Sequence, residues 1–423
     1  MSIAPKIAYV GMTHLGLCSA IASASKGFDT TGIDVDAALV GRLQKGVLPV
    51  VEPDLDDLLA AHRARISFSS DVAMIAQADV IYVAPDIATD DAGRSDLSTI
   101  DGLLTLTLDH ARSDAVVVVL SQVPPGYTRS RVRPDKQLYY QVETLVFGRA
   151  VERATLPERY MVGCPDPSAP LPAHLQAFLS AFDCPILQMR FESAELAKIS
   201  INCCLVASVT VANTLAELCE QIGADWSEIA PALKLDKRIG AYSYLTPGLG
   251  LAGGNLERDL ATVIRFSEEY GTDAALIKAF VSNSKYRKDW AVRTLHHAVL
   301  SRGPDARLGV LGLAYKENTH SVKNSPSLAL IRMLGPWPMQ AYDPVVAAEV
   351  VDHPNILGMS NALDAAAGVD ALAIMTPWPE FRAIKPEDLA RVMRGKLVLD
   401  PFRVLDGKAA KAVGLDYRTL GVS

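Results

Sequence analysis

Apolar runs separated by amphipathic stretches mark both ends of the chain. Residues 6–11 (KIAYVG) read as a buried strand, a helical stretch follows to Gly27, and residues 28–34 (FDTTGID) read as a second strand. Strand-like runs recur at 78–84 (ADVIYVA) and 114–122 (DAVVVVLSQ), with helical segments between them. A strand covered on both faces is apolar throughout instead of alternating, and strand–helix alternation builds a parallel sheet with helices on both sides. The pattern restarts at 306–315 (ARLGVLGLAY) and continues through 341–344 (AYDP), 371–376 (ALAIMT) and 397–400 (LVLD). The intervening region is helical. Its first helix is expected to begin after Ser193 as N-cap and to stop at Gly223, with further helices over 256–270 and 273–300. The prediction is an α/β fold: two parallel-sheet domains, 1–190 and 301–423, joined by a helical region at 191–300.

A length of 423 residues accommodates this division. The 41 Lys and Arg against 48 Asp and Glu leave a formal net charge of −7, so an anionic ligand must be held by a local cluster of donors. No nucleic-acid and no membrane partner is expected. The six cysteines (18, 164, 184, 203, 204, 219) form no CxxC pair and no disulfide framework. His14 and His320 lack a second ligand at metal spacing, so no metal site is expected. The N-terminus runs directly into a strand without signal-peptide regions. One stretch, 199–216, carries no charge over 18 positions, but six are polar (Ser200, Asn202, Ser208, Thr210, Asn213, Thr214). A helix buried between domains or subunits is the better reading than a membrane span. A soluble, cytoplasmic, multi-domain protein is expected.

Gly11-Met12-Thr13-His14-Leu15-Gly16 lies between the first strand and the first helix, where a dinucleotide fold places its phosphate turn. It keeps the first and third glycines of GxGxxG, while Thr13 replaces the second. A Cβ at that position must displace the diphosphate or offer it a hydroxyl. Asp34 ends the second strand 18 residues after Gly16, where an acid accepts from an adenosine ribose and disfavours a 2′-phosphate. NAD is the favoured cofactor.

With KGVLPVVEPDLDDLL (45–59), GRSDLSTI (93–100), SQVPPGYT (121–128), SAELAKISIN (193–202), LDKRIG (235–240), TPGLGLAGGNLERD (246–259), GLAYKENTHSVKNSP (312–326), YDP (342–344) and TPWPEF (376–381), the chain resembles the UDP-glucose/GDP-mannose dehydrogenase family along nearly its whole length. The resemblance implies an N-terminal NAD-binding Rossmann-like domain, a central helical dimerisation region and a C-terminal domain that binds the nucleotide diphosphate. The active site would lie between the two α/β domains of a homodimer that acts in polysaccharide biosynthesis. Members oxidise a sugar C6 alcohol to a carboxylate in two NAD-dependent steps through a cysteine-bound intermediate. Carried over by position, the cofactor side comprises Gly11, Thr13, Gly16, Asp34, Thr89 and Lys323. The substrate side comprises Arg238, which matches an arginine reaching a neighbouring subunit, with Gly250, Gly253, Tyr315, Lys316 and Arg258. The catalytic side comprises Lys198, Asn202, Asp259, Glu143, Asn255 and Gln122.

Several of these positions depart from the family pattern. Asn255 stands at the nucleophile's place in the GGSCFPKD-like segment, and a carboxamide cannot form the covalent adduct. Gln122 replaces a threonine, Phe147 replaces the second glutamate of a PEFLREG-like pattern, and residues 86–89 (DIAT) replace a GTPT-like cofactor loop. Arg258 stands for lysine and Lys323 for arginine, which exchanges a point charge for a bidentate fork and the reverse. Lys198 and Asn202, four apart on one predicted helix, share a face, where an amine and an amide serve proton removal and alkoxide stabilisation. Two readings follow. One is a nucleotide-sugar oxidoreductase, most simply on a UDP-hexose, limited to one two-electron alcohol–carbonyl step or a redox-neutral epimerisation. The other is a non-catalytic nucleotide-sugar-binding relative.

Overall fold

The computed structural model describes residues 4–90, 93–252, 254–303 and 305–422. It forms two compact units, Met1–Ile201 and Asn202–Ser423, whose boundary falls inside one continuous helix.

The first unit is built on an eight-stranded sheet of β1 (Ile7–Val10), β2 (Thr30–Ile33), β3 (Ile66–Ser69), β4 (Val80–Val83), β5 (Val116–Val119), β6 (Gln137–Gln141), β7 (Tyr160–Cys164) and β8 (Ile186–Arg190). The order is β3-β2-β1-β4-β5-β6-β7-β8; all neighbours run parallel except β6 and β7. Strands β1, β4 and β5 are buried at every position, which explains their unbroken apolar sequences. The second unit holds a parallel six-stranded sheet of β9 (Leu308–Leu311), β10 (Met339–Tyr342), β11 (Ile356–Gly358), β12 (Ala371–Ile374), β13 (Leu397–Leu399) and β14 (Asp416–Arg418), in the order β11-β10-β9-β12-β13-β14. Both sheets thus begin with the same winding, reversing direction beside β1 and beside β9, and in open sheets ligands bind at the strand ends next to that reversal.

Gly11 and Gly312 follow β1 and β9 with the same left-handed backbone, φ +95° and +92°. A Cβ on Gly11 would come within 3.0 Å of the Pro85 nitrogen, and one on Gly312 within 2.5 Å of the Thr376 hydroxyl. At both places only glycine lets the turn close onto the neighbouring strand end.

The helical part differs from its sequence reading in three respects. The long helix spans Phe191–Ile222, so Ser193 lies inside it and caps nothing: β8 runs straight into the helix at Arg190–Phe191, and the buried Phe191 fixes the junction. Gly223 does end it, in the left-handed conformation. A helix at Trp226–Leu235, capped by Asp225, was not expected. The 273–300 segment is two helices, Ala275–Lys288 and Trp290–Ala298, separated at Asp289. The long helix is apolar and long enough to cross a membrane by length and composition alone. It also leaves Val211, Leu215, Leu218 and Ile222 exposed along one stripe.

Candidate active site

In the first unit the phosphate turn is packed against the end of β4. Gly16, in the first turn of the His14–Ser25 helix, lies against the Gly11 carbonyl with no room for a side chain. The Thr13 hydroxyl accepts the Asp86 backbone N–H at 2.8 Å and faces the Ala84 carbonyl at 3.4 Å, so of the two expectations for Thr13 it is not the free hydroxyl donor. Ser121 pins the same segment from β5 by donating to the Pro85 carbonyl at 2.5 Å. The Asp86 carboxylate accepts the His14 N–H at 3.0 Å and also that of Leu15. These amides open the helix and are the donors a dinucleotide diphosphate uses.

Asp34, half-buried just past β2, takes the Met12 N–H on one oxygen (2.7 Å) and the Asp36 N–H on the other (3.0 Å). Each oxygen keeps a lone pair for a ribose hydroxyl, so the adenosine end of NAD fits here. The diphosphate end fits only where Asp86 gives way. Thr89 lies farther along the same loop, bridged to Ser95.

Lys198 pairs with Glu143 at 3.1 Å, and both side chains are largely buried, so neither is the solvated surface charge that a lone Lys or Glu usually is. Glu143 also accepts the Leu145 N–H. Gln122, half-buried, opens the loop that follows β5. Glu195, fully buried one turn before Lys198, accepts the Gly126 N–H at 2.6 Å and the Thr128 N–H at 2.8 Å and so fixes that loop. Burial raises the Glu195 pKa above the usual carboxylate range. His14 Nε2 hydrogen-bonds to the buried Glu52 carboxylate at 2.8 Å, and its ring lies over that of Phe147, centroids 4.3 Å apart. Glu52 also takes the Gly148 N–H at 2.9 Å. Neither Glu52 nor Glu195 was assigned a role from sequence, although both lie in segments that carry the family resemblance, 45–59 and 193–202.

In the second unit Asn202 donates to Asp259 at 2.5 Å, and Arg258 Nε reaches the other Asp259 oxygen at 3.1 Å. All three are buried, Asp259 to 1% exposure, so this acid too is no surface group. Asn255 is the exposed first residue of the Asn255–Tyr270 helix. Just before it, Gly254 donates to Glu257 at 3.1 Å and lies under the Lys323 stem. Glu257 also receives Lys288 at 3.1 Å and Asn324 at 3.0 Å. Cys203 packs with Leu251 and Leu260, and burial with the nearby Asp259 charge pushes its thiol up to about 11.

Of the substrate-side residues, Arg238 is exposed and paired with Asp236 at 2.6 Å. Gly250 lies against Ser284, whose hydroxyl accepts the Leu251 N–H at 2.8 Å. Gly253 lies outside the described residues. Tyr315 and Lys316 sit just after the Gly312 turn, the Lys316 ammonium 5.7 Å from the Tyr315 ring centre. That turn is held by the buried Asp343, which accepts from Leu313 (2.6 Å), Ala314 (3.0 Å), Val345 (2.9 Å), Val346 (2.8 Å) and the Trp378 indole (3.0 Å).

Two sheets that begin with the same winding, one with a dinucleotide-type turn after β1 and a half-buried acid after β2, are those of the dinucleotide-binding dehydrogenase class. Residues 5–170 match the NAD binding domain of the UDP-glucose/GDP-mannose dehydrogenase family, 192–285 its central domain and 309–407 its UDP binding domain. The chain belongs to this family of NAD-dependent nucleotide-sugar dehydrogenases. The UDP-glucose 6-dehydrogenase of Rickettsia conorii is 26% identical over 434 residues, covering 98% of this chain and 99% of that protein. The UDP-glucose 6-dehydrogenase TuaD of Bacillus subtilis is 27% identical over 435 residues, covering 98% and 93%. The structure of a UDP-glucose dehydrogenase from Pyrobaculum islandicum superposes with a TM-score of 0.87 at 27% identity, covering 100% of this chain and 99% of that one. The cofactor is NAD, and the substrate domain is one for a nucleotide sugar.

Proposed function

We propose that this chain carries out one two-electron, NAD-dependent alcohol–carbonyl step on a nucleotide-diphosphate sugar, with a UDP-hexose the first candidate, and forms no uronate. The observation that carries this is Asn255 at the first position of its helix, with the nearby Cys203 held as a thiol. Oxidation of an aldehyde to an acid by this route needs a nucleophile that a carboxamide does not provide. The groups for the alcohol step are kept. Bound NAD supplies the hydride acceptor. The Glu143 carboxylate takes the hydroxyl proton and the Lys198 ammonium holds the developing alkoxide, while Asn202, oriented by Asp259, keeps a second amide hydrogen for the substrate. Gln122, Thr89, Lys323, Arg238, Gly250, Gly253, Tyr315, Lys316 and Arg258 are proposed as the surrounding cofactor and substrate contacts. The exposed stripe on the long helix is proposed as the homodimer contact. A second reading, nucleotide-sugar binding without turnover, is favoured by Asp86 on the helix amides. The test is stoichiometric: protein with NAD and a panel of UDP-, GDP- and dTDP-hexoses should give one NADH per sugar and a carbonyl product. Two NADH per sugar with a uronic acid would overturn the two-electron reading, and no NADH with intact sugar binding would favour the second.

A further inference from the structure

The first helix meets its anion from within the chain. Its opening amides, His14 and Leu15, are accepted by Asp86, and the match is built from both sides, because the Asp86 N–H is itself held by Thr13. Three further features fix residue 86 there. Gly11 closes onto Pro85, Ser121 holds the Pro85 carbonyl, and the Ala84 N–H pairs with the Val10 carbonyl at 2.9 Å. Asp86 nonetheless stays exposed to solvent. A diphosphate seeking the same N–H groups meets them already bonded and meets a like charge beside them, and both effects oppose binding.

We propose that Asp86 is a built-in competitor for the NAD diphosphate: it occupies the anion-binding amides of the first helix and sets a weak affinity for the dinucleotide that is specific to its phosphates. The proposal rests on residues 5–170 binding NAD. Adenosine, which reaches Asp34 but not the helix amides, should not sense Asp86.

The experiment measures dissociation constants of NAD, ADP and adenosine by calorimetry for the full chain and for Asp86→Ser and Asp86→Asn, with circular dichroism to verify folding. Asp86→Ser frees the amides and removes the charge; Asp86→Asn removes the charge but keeps an acceptor. NAD and ADP should bind about tenfold or more tighter to the Ser variant, with the Asn variant between it and the native chain. Adenosine should bind all three equally. Equal NAD affinity in the three proteins, or weaker NAD binding by folded Asp86→Ser, overturns the proposal while leaving NAD as the ligand. Failure of NAD, ADP and adenosine alike to bind any folded form at millimolar concentration overturns both.

Discussion

A thiol and a carboxamide differ most in consequence at a helix N-terminus, where a thiolate is stabilised by the helix field and an amide gains little. Asn255 stands at such a place, while the Cys203 thiol on the long helix is held near 11. At pH 7 that leaves about one thiolate in ten thousand. Asn255→Cys should therefore create a thiol that iodoacetamide modifies at neutral pH at least ~10-fold faster than Cys203, read by peptide mass spectrometry. If the proposed alcohol step is active, the same variant should release more than one NADH per sugar. Alkylation of the new thiol no faster than that of Cys203 would mean that this helix end does not activate a nucleophile.

The long helix illustrates why elements were unevenly legible. Its apolar composition and Gly223 stop were plain in the sequence, but its start was not, because a strand that passes directly into a helix needs no capping residue. Strands β1, β4, β5, β9 and β12 were readable because both faces are buried; β8, with no fully buried position, and the three-residue β11 and β14 carry too little pattern. The site shows the same division. Lys198 and Asn202 share a helix face by spacing alone. The partners of these and neighbouring groups, Glu143 with Lys198, Asp259 with Asn202 and Asp86 with His14, come together only through the fold, and a lone acid has no periodicity to reveal it. For the exposed stripe, Val211→Glu with Leu218→Glu should convert a dimer to a monomer in light scattering while the thermal transition stays cooperative. A native chain that is already monomeric at tens of micromolar, or a dimer that survives both changes, would place the partner surface elsewhere.

Across the whole molecule the two sheets begin with one winding, each with a left-handed glycine after its first strand and an aspartate after its second. The two acids are used differently. Asp34 spends two bonds on the backbone and stays half-open, whereas Asp343 is buried under four backbone amides and an indole. Removing an acceptor shared by several buried donors leaves each of them unsatisfied. Asp343→Ala should cost about 3 kcal/mol or more in urea unfolding and abolish UDP binding, because the turn bearing Tyr315 and Lys316 loses its anchor. A loss below ~1 kcal/mol with UDP binding intact would show that the turn holds without it. The difference between the two acids bears on how such a protein can change over time. In the first sheet Asp34, the acid proposed to choose between NAD and its 2′-phosphorylated form, holds only two backbone amides, so cofactor preference would be open to single substitutions. In the second sheet the equivalent position is locked into the architecture, and new substrate preference must arise at the loop tips instead.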